Sequence, residues 1–145
     1  MSTYETVLDS IIDALEDTVE ACTSFTSDST HFDYVRTEDY GSHDPMALLS
    51  LVRDSVDAIG PMETQHTLTF QARVSHTGTG TKENLGEIVS YVGEIVDQIE
   101  SDRTLGSSYV ENTEVSNVEY STNAPQNFVI YFAFLTIEVT AIRNV

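Results

Sequence analysis

Four histidines, His31, His43, His66 and His76, are the side chains of this sequence best suited to moving protons or holding a metal. No two stand at the i, i+3 or i+4 separation that places two ligands on one helix face, so no metal site is expected. Cys22 closes an apolar stripe, with no basic residue close by in sequence to favour its thiolate, and it reads as a buried core residue. The run Thr77-Gly78-Thr79-Gly80-Thr81-Lys82 places glycines and a lysine ahead of a helix, the ingredients of a phosphate loop. It lacks the four-residue gap between the glycines and the hydroxyl residue after the lysine, and reads as a connector. Adjacent acids such as Glu16-Asp17 and Glu38-Asp39 could share a proton in a catalytic pair. Among 24 Asp and Glu residues, however, such neighbours are the ordinary consequence of composition and read as solvated surface. With no G-x-S-x-G, H-E-x-x-H or C-x-x-C spacing either, the chain is expected not to be an enzyme and to bind no cofactor.

Charge sets a second group of exclusions. The 145 residues hold 6 Lys and Arg against 24 Asp and Glu, a formal net charge of −18. Such a surface repels a phosphate backbone, so specific nucleic-acid binding is not expected. The acids are spread along the chain, and Lys82 is the single lysine. This pattern resembles proteins of salt-loving archaea and their viruses: at 1 M salt the Debye length falls to about 3 Å, which screens the self-repulsion. With 40% hydrophobic residues the chain has enough apolar surface to fold, and its length suits one domain over residues 1–145. The longest apolar run, Phe128 to Leu135, is far short of a membrane span, and Met1 to Glu5 carries no basic leader. A soluble protein made in a cytoplasm and without a membrane partner is expected.

The elements that must position these residues follow from periodicity. Tyr4, Val7, Leu8, Ile11, Ile12, Leu15, Val19 and Cys22 recur at helical spacing, and Ser2 with Glu5 forms a capping box. His31 to Arg36 alternates like a short strand, and Thr37 to His43 is a polar loop. Asp44 as N-cap and Pro45 in the first turn open a second predicted helix to Ile59, with Met46, Leu48, Leu49, Leu51, Val52, Val56 and Ile59 on one side and Gly60-Pro61 ending it. Thr67 to Ser75 alternates cleanly as a strand with one wet face, followed by a loop from His76 to Gly80. From Thr81 as N-cap, Leu85, Ile88, Val89, Val92, Ile95, Val96 and Ile99 trace a helix to Asp102, roughly 33 Å long, which must lie across a sheet. Val115 to Ser121 is a strand and Thr122 to Gln126 a turn. Phe128 to Ala141 is the last strand, apolar on both sides in its first half and therefore central or covered by a neighbour. The expected fold is α+β, helices packed on an antiparallel or mixed sheet with a long C-terminal strand.

That succession, an N-terminal helix, the strand Thr67 to Ser75, the helix Thr81 to Asp102 and a hairpin ending in Phe128 to Ala141, resembles the layout of tail-terminator (tail-completion) proteins of long-tailed phages and archaeal viruses. The resemblance implies a virion structural protein of the tail and neck, whose partners are itself in a homohexameric ring, the tail tube protein and a neck or connector protein. DNA would pass through such a ring without specific binding. Other readings of the residues are a different neck or head-completion protein, or a cytoplasmic halophilic protein-binding module. The backbone least committed to a core is expected to meet partners, at Thr37, Glu38, Asp39, Tyr40, His76, Thr77 and Gly78. The aromatic side of the last strand, Phe128, Ile130 and Phe132, is either interface or core.

Overall fold

The computed structural model describes residues 2–26, 29–32, 44–124 and 127–144. Helix α1 spans Thr3–Glu20 and starts where the side chains dictate: Ser2 Oγ accepts from the Glu5 amide at 3.1 Å while the Ser2 amide donates to Glu5 Oε2 at 2.7 Å. Helix α2, Lys82–Ser101, uses the same device with Thr81 and Asn84. Both helices offer one apolar stripe, Val7, Ile11, Leu15 and Val19 on α1 and Ile88, Val92, Ile95 and Ile99 on α2, all buried. Those stripes meet the helix-facing side of a five-stranded sheet at Leu68, Phe70, Ala72, Val74, Ala133, Leu135, Ile137 and Val139, giving one continuous core.

The strands are β1 Thr30–Phe32, β2 Met46–Gly60, β3 Glu63–Gly78, β4 Val110–Asn123 and β5 Val129–Asn144, in the spatial order β1-β2-β3-β5-β4. All neighbours are antiparallel except the short β1, which runs parallel to β2 at Ala47 to Leu49. The sheet is therefore mixed and the fold α+β, with a long C-terminal strand lying inside the sheet, as its two apolar sides imply. The long helix does lie across this sheet, packed on β3, β4 and β5.

One element reverses the sequence reading. Asp44 to Ile59 is no helix: Met46–Gly60 forms β2, and Pro61-Met62 makes the turn of a β2–β3 hairpin. Met46, Leu48, Leu49, Leu51, Val52, Val56 and Ile59 fit a 3.6-residue stripe, but they fit equally well a strand whose first half is covered on both sides. Pairing with β3 over its full length decides the matter, with register shifts at Val52 and Ile59 that bring the later apolar residues out of strict alternation. Boundaries move as well. The predicted loop His76 to Gly80 is strand as far as Gly78, the strand Thr67 to Ser75 begins at Glu63, and Val115 to Ser121 extends to Val110 and Asn123, taking in Thr122 from the predicted turn. Phe128 lies one residue ahead of β5, which continues past Ala141 to Asn144. Of the predicted strand His31 to Arg36, His31 and Phe32 lie in β1, and residues 33–36 fall outside the described residues.

Candidate functional site

Two of the three expected contact segments meet at one end of the sheet. Thr77 pairs with Ile130 and Gly78 with Val129, so the end of β3 and the start of β5 are side by side. Ile130, Phe132 and Phe134 point to the side of the sheet that carries no described helix, and all three are half-buried. Phe132 and Phe134 stack with centroids 6.2 Å apart, and the Arg73 guanidinium stands 5.7 Å over the Phe132 ring. Phe128 is exposed at the β4–β5 connection. Thr37, Glu38, Asp39 and Tyr40 lie outside the described residues.

His76 is no loose loop residue. It is buried, with Nδ1 2.9 Å from Asp44 Oδ1 and Nε2 2.5 Å from Glu87 Oε2, while Asp44 Oδ2 accepts the Thr77 amide at 3.2 Å. The ring packs edge-to-face with Tyr91, centroids 5.2 Å apart. Through its two nitrogens the ring ties together the start of β2, the end of β3 and α2. The negative surroundings register on Tyr91, whose hydroxyl is pushed above its ordinary pKa by burial first and then by Glu87, Asp44 and Glu94.

A second histidine cluster closes the opposite end of the sheet. His66 Nδ1 lies 3.0 Å from Asp54 Oδ2, and its Nε2 accepts from Arg143 Nε at 3.1 Å, an arrangement that fixes the neutral ring with its proton on Nδ1. Tyr4 Oη donates to Asp54 at 3.0 Å and Arg143 reaches Thr3 Oγ1 at 3.1 Å, so α1, β2, β3 and β5 are fastened together. That bond to Asp54 is also the main cause of the raised Tyr4 pKa. The adjoining cavity is about 10 Å³, room for one water and too small for a substrate. Arg143 occupies the nitrogen that a catalytic base would need free.

Sequence reasoning missed Asp44, Glu87 and Tyr91 around His76, and Tyr4, Asp54 and Arg143 around His66. They come from distant elements, and in the sequence Asp44 reads as a helix N-cap. Among the described residues no three His, Cys, Asp or Glu side chains are placed to hold a metal ion. At His76 the two carboxylates sit on opposite ring nitrogens and diverge. Cys22 is buried, and its thiol is pushed up to about 12 by desolvation and then by the Glu94 charge, which leaves it a core residue.

Exposed apolar side chains mark a different kind of surface. Among the described residues the large exposed hydrophobics are Tyr4, Val52, Val56, Ile59, Met62, Leu85, Val89, Tyr120 and Phe128. The first five gather at the free part of β2, its turn, and the end of α1 bonded to Asp54. Leu85 and Val89 lie on the flank of α2 opposite Glu87 and Tyr91. Since those two face His76 on β3, the apolar flank faces β4, where Tyr120 sits on the helix-facing side opposite Ala133.

The architecture defines a two-layer α+β protein with two helices on one side of a mixed sheet. No protein-family description matches the chain, and no curated protein matches it. Among solved structures, a similar chain comes from the "Virion of native gene transfer agent (GTA) particle", with a TM-score of 0.40 and 11% identity over 93% of this chain and 92% of that chain. No helix among the described residues is long and apolar enough to cross a membrane.

Proposed function

We propose that this chain is a non-enzymatic virion structural protein, a tail terminator whose copies close a ring that caps the tail tube and joins it to the neck. One observation carries the reading: among the described residues the exposed large hydrophobics fall into two groups, one around the free part of β2 with its turn and the start of α1, the other on α2, β4 and the β4–β5 connection. A chain of net charge −18 has few reasons to expose such side chains, and a pair of separate patches suits head-to-tail contacts between identical copies, which generate rings. The layout resemblance to tail terminators supplies the role, and an acidic wall lets DNA slide without sticking. Halophily and an archaeal viral origin belong to the same proposal, motivated by the spread of acids.

Native mass spectrometry in a volatile salt at high ionic strength tests the assembly, where a closed ring is expected and a monomer would favour a halophilic binding module. Deleting the gene from the virus and imaging its particles tests the role. Headless tails of uncontrolled length are expected. Headless tails of regulated length would replace the terminator with another neck protein, and normal infectious particles would overturn the virion reading.

A further inference from the structure

The sheet has two open edges, and their chemistry differs. β1 covers the outer edge of β2 only at Ala47 to Leu49, so among the described residues β2 is unpaired on that side from Ser50 to Gly60. Val52 there is 62% exposed and Val56 54%. At the other edge β4 has no strand partner among the described residues from Val110 to Asn123; Arg103 Nη1 donates to the Thr113 carbonyl there at 3.2 Å, and the strand carries Glu111, Glu114 and Glu119. Each edge presents backbone donors and acceptors that another strand can satisfy.

One row of side chains runs straight across the sheet between those edges. Arg53 on β2 pairs with Thr69 on β3, Thr69 with Glu138 on β5, and Glu138 with Glu114 on β4, all on the side without described helices. Glu138 and Glu114 thus stand directly opposite each other, a like-charge pair that is destabilising inside a sheet. Among the described residues neither carboxylate meets a cation, and Arg53 meets no acid. Among the described residues the row thus ends in a positive charge without an acid partner at one edge and a directly opposed acid pair at the other.

We propose that neighbouring copies join edge to edge, β4 of one on the free stretch of β2 of the next, with Arg53 of that next copy closing the charge on Glu114 and Glu138. The inference rests on the ring reading above and names its interface. Strand direction permits it: the three antiparallel steps from β2 through β3 and β5 to β4 leave β4 antiparallel to β2, so repeating the sheet sideways in one sense makes an antiparallel joint. Strands in such a joint lie about 4.8 Å apart, which sets Arg53 directly opposite Glu114 and brings Glu138, one strand further on, within reach of its long side chain. The contact is heterologous and closes into a ring when the rotation per copy divides a full turn. The bulge in β4 between Val115 and Asn117 lies level with Leu51 and Ser50 on β2, just where β1 begins to cover that strand. Past the bulge β4 stays paired with β5 to Asn123, so the proposed joint is confined to the stretch of β4 before the bulge.

The test is a charge swap in the full chain, read by native mass spectrometry and sedimentation at the lowest salt in which the fold holds. Arg53→Glu and Glu114→Arg are each expected to weaken assembly at least tenfold, and the double variant R53E/E114R to recover most of it. Far-UV circular dichroism and melting of each variant control for folding. A wild-type ring untouched by either single change would overturn this interface and leave the ring reading standing, whereas a wild-type monomer in every salt would remove both. Loss of assembly in Arg53→Glu alone, with Glu114→Arg silent, would indicate two β2 edges pairing with each other and would also overturn it. If a charge variant fails to fold, Ser55→Cys with Asn112→Cys supplies the second measurement. Those two exposed residues occupy one row through Thr67 and Thr140, so oxidation should give a ladder of disulfide-linked copies in the double variant only. A double variant without a ladder, in a chain that still assembles, sinks the proposal.

Discussion

His76 Nε2 lies 2.5 Å from Glu87 Oε2, joining the end of β3 to the second turn of α2, while Asp44 holds the other ring nitrogen. The buried ring gives two acids of a strongly acidic chain a shared hydrogen-bonding partner. His76→Leu keeps the apolar bulk but removes the ring nitrogens that Asp44 and Glu87 both contact. Because both carboxylates are partly exposed, the expected loss is moderate, about 1–2 kcal/mol in denaturant unfolding. An unchanged midpoint would show that the bridge contributes nothing net.

Ile95 is fully buried on the stripe that seats α2 on the sheet, and Val89 on the same helix is 48% exposed. Ile95→Ala is expected to cost on the order of 2–5 kcal/mol through lost transfer energy and a residual cavity. Val89→Ala should stay within about 0.5 kcal/mol in the monomer. Comparable melting of the two variants would contradict the side of the helix assigned to the core.

Cys22 is expected to resist alkylation at pH 8 in the folded protein and to react once the chain is unfolded, because burial raises its thiol from 9.0 to about 12. The sign for stability follows from the same shift. An unfolded chain releases this proton from about pH 9.0, while the folded one holds it to about 12, so the stabilising contribution is intact below 9.0 and is lost as pH rises through that window. Cys22→Ala should flatten this part of the pH profile, and a profile identical to wild type would count against it.

The melting temperature should rise steeply as KCl goes from dilute buffer into the molar range, since screening relieves the repulsion of −18 formal charges. Sucrose at matched osmolality controls for solute exclusion. A melting temperature indifferent to salt would remove the halophile reading. Glu138→Gln should raise the melting temperature most at low salt, because it relieves the directly opposed Glu114.

Both helices were legible in the sequence because what specifies them is local. A capping box spans three residues, and an apolar stripe repeats within four, so Ser2 with Glu5 and Thr81 with its following stripe define α1 and α2 without reference to the rest of the chain. Strands Thr67 to Ser75 and Phe128 to Ala141 were legible through strict alternation. The segment Met46–Gly60 was not, since its apolar spacing satisfies a helix and a strand alike and only hydrogen bonding to β3 chooses between them. The same limit applies to the candidate surface. Composition alone set the net charge of −18 and supplied enough apolar residues for a core. That Arg53 and Glu114 terminate one row at opposite edges, and that His76 meets Asp44 and Glu87, was decided only by tertiary structure. Strand order and register bring together residues far apart in sequence, and no local pattern encodes either.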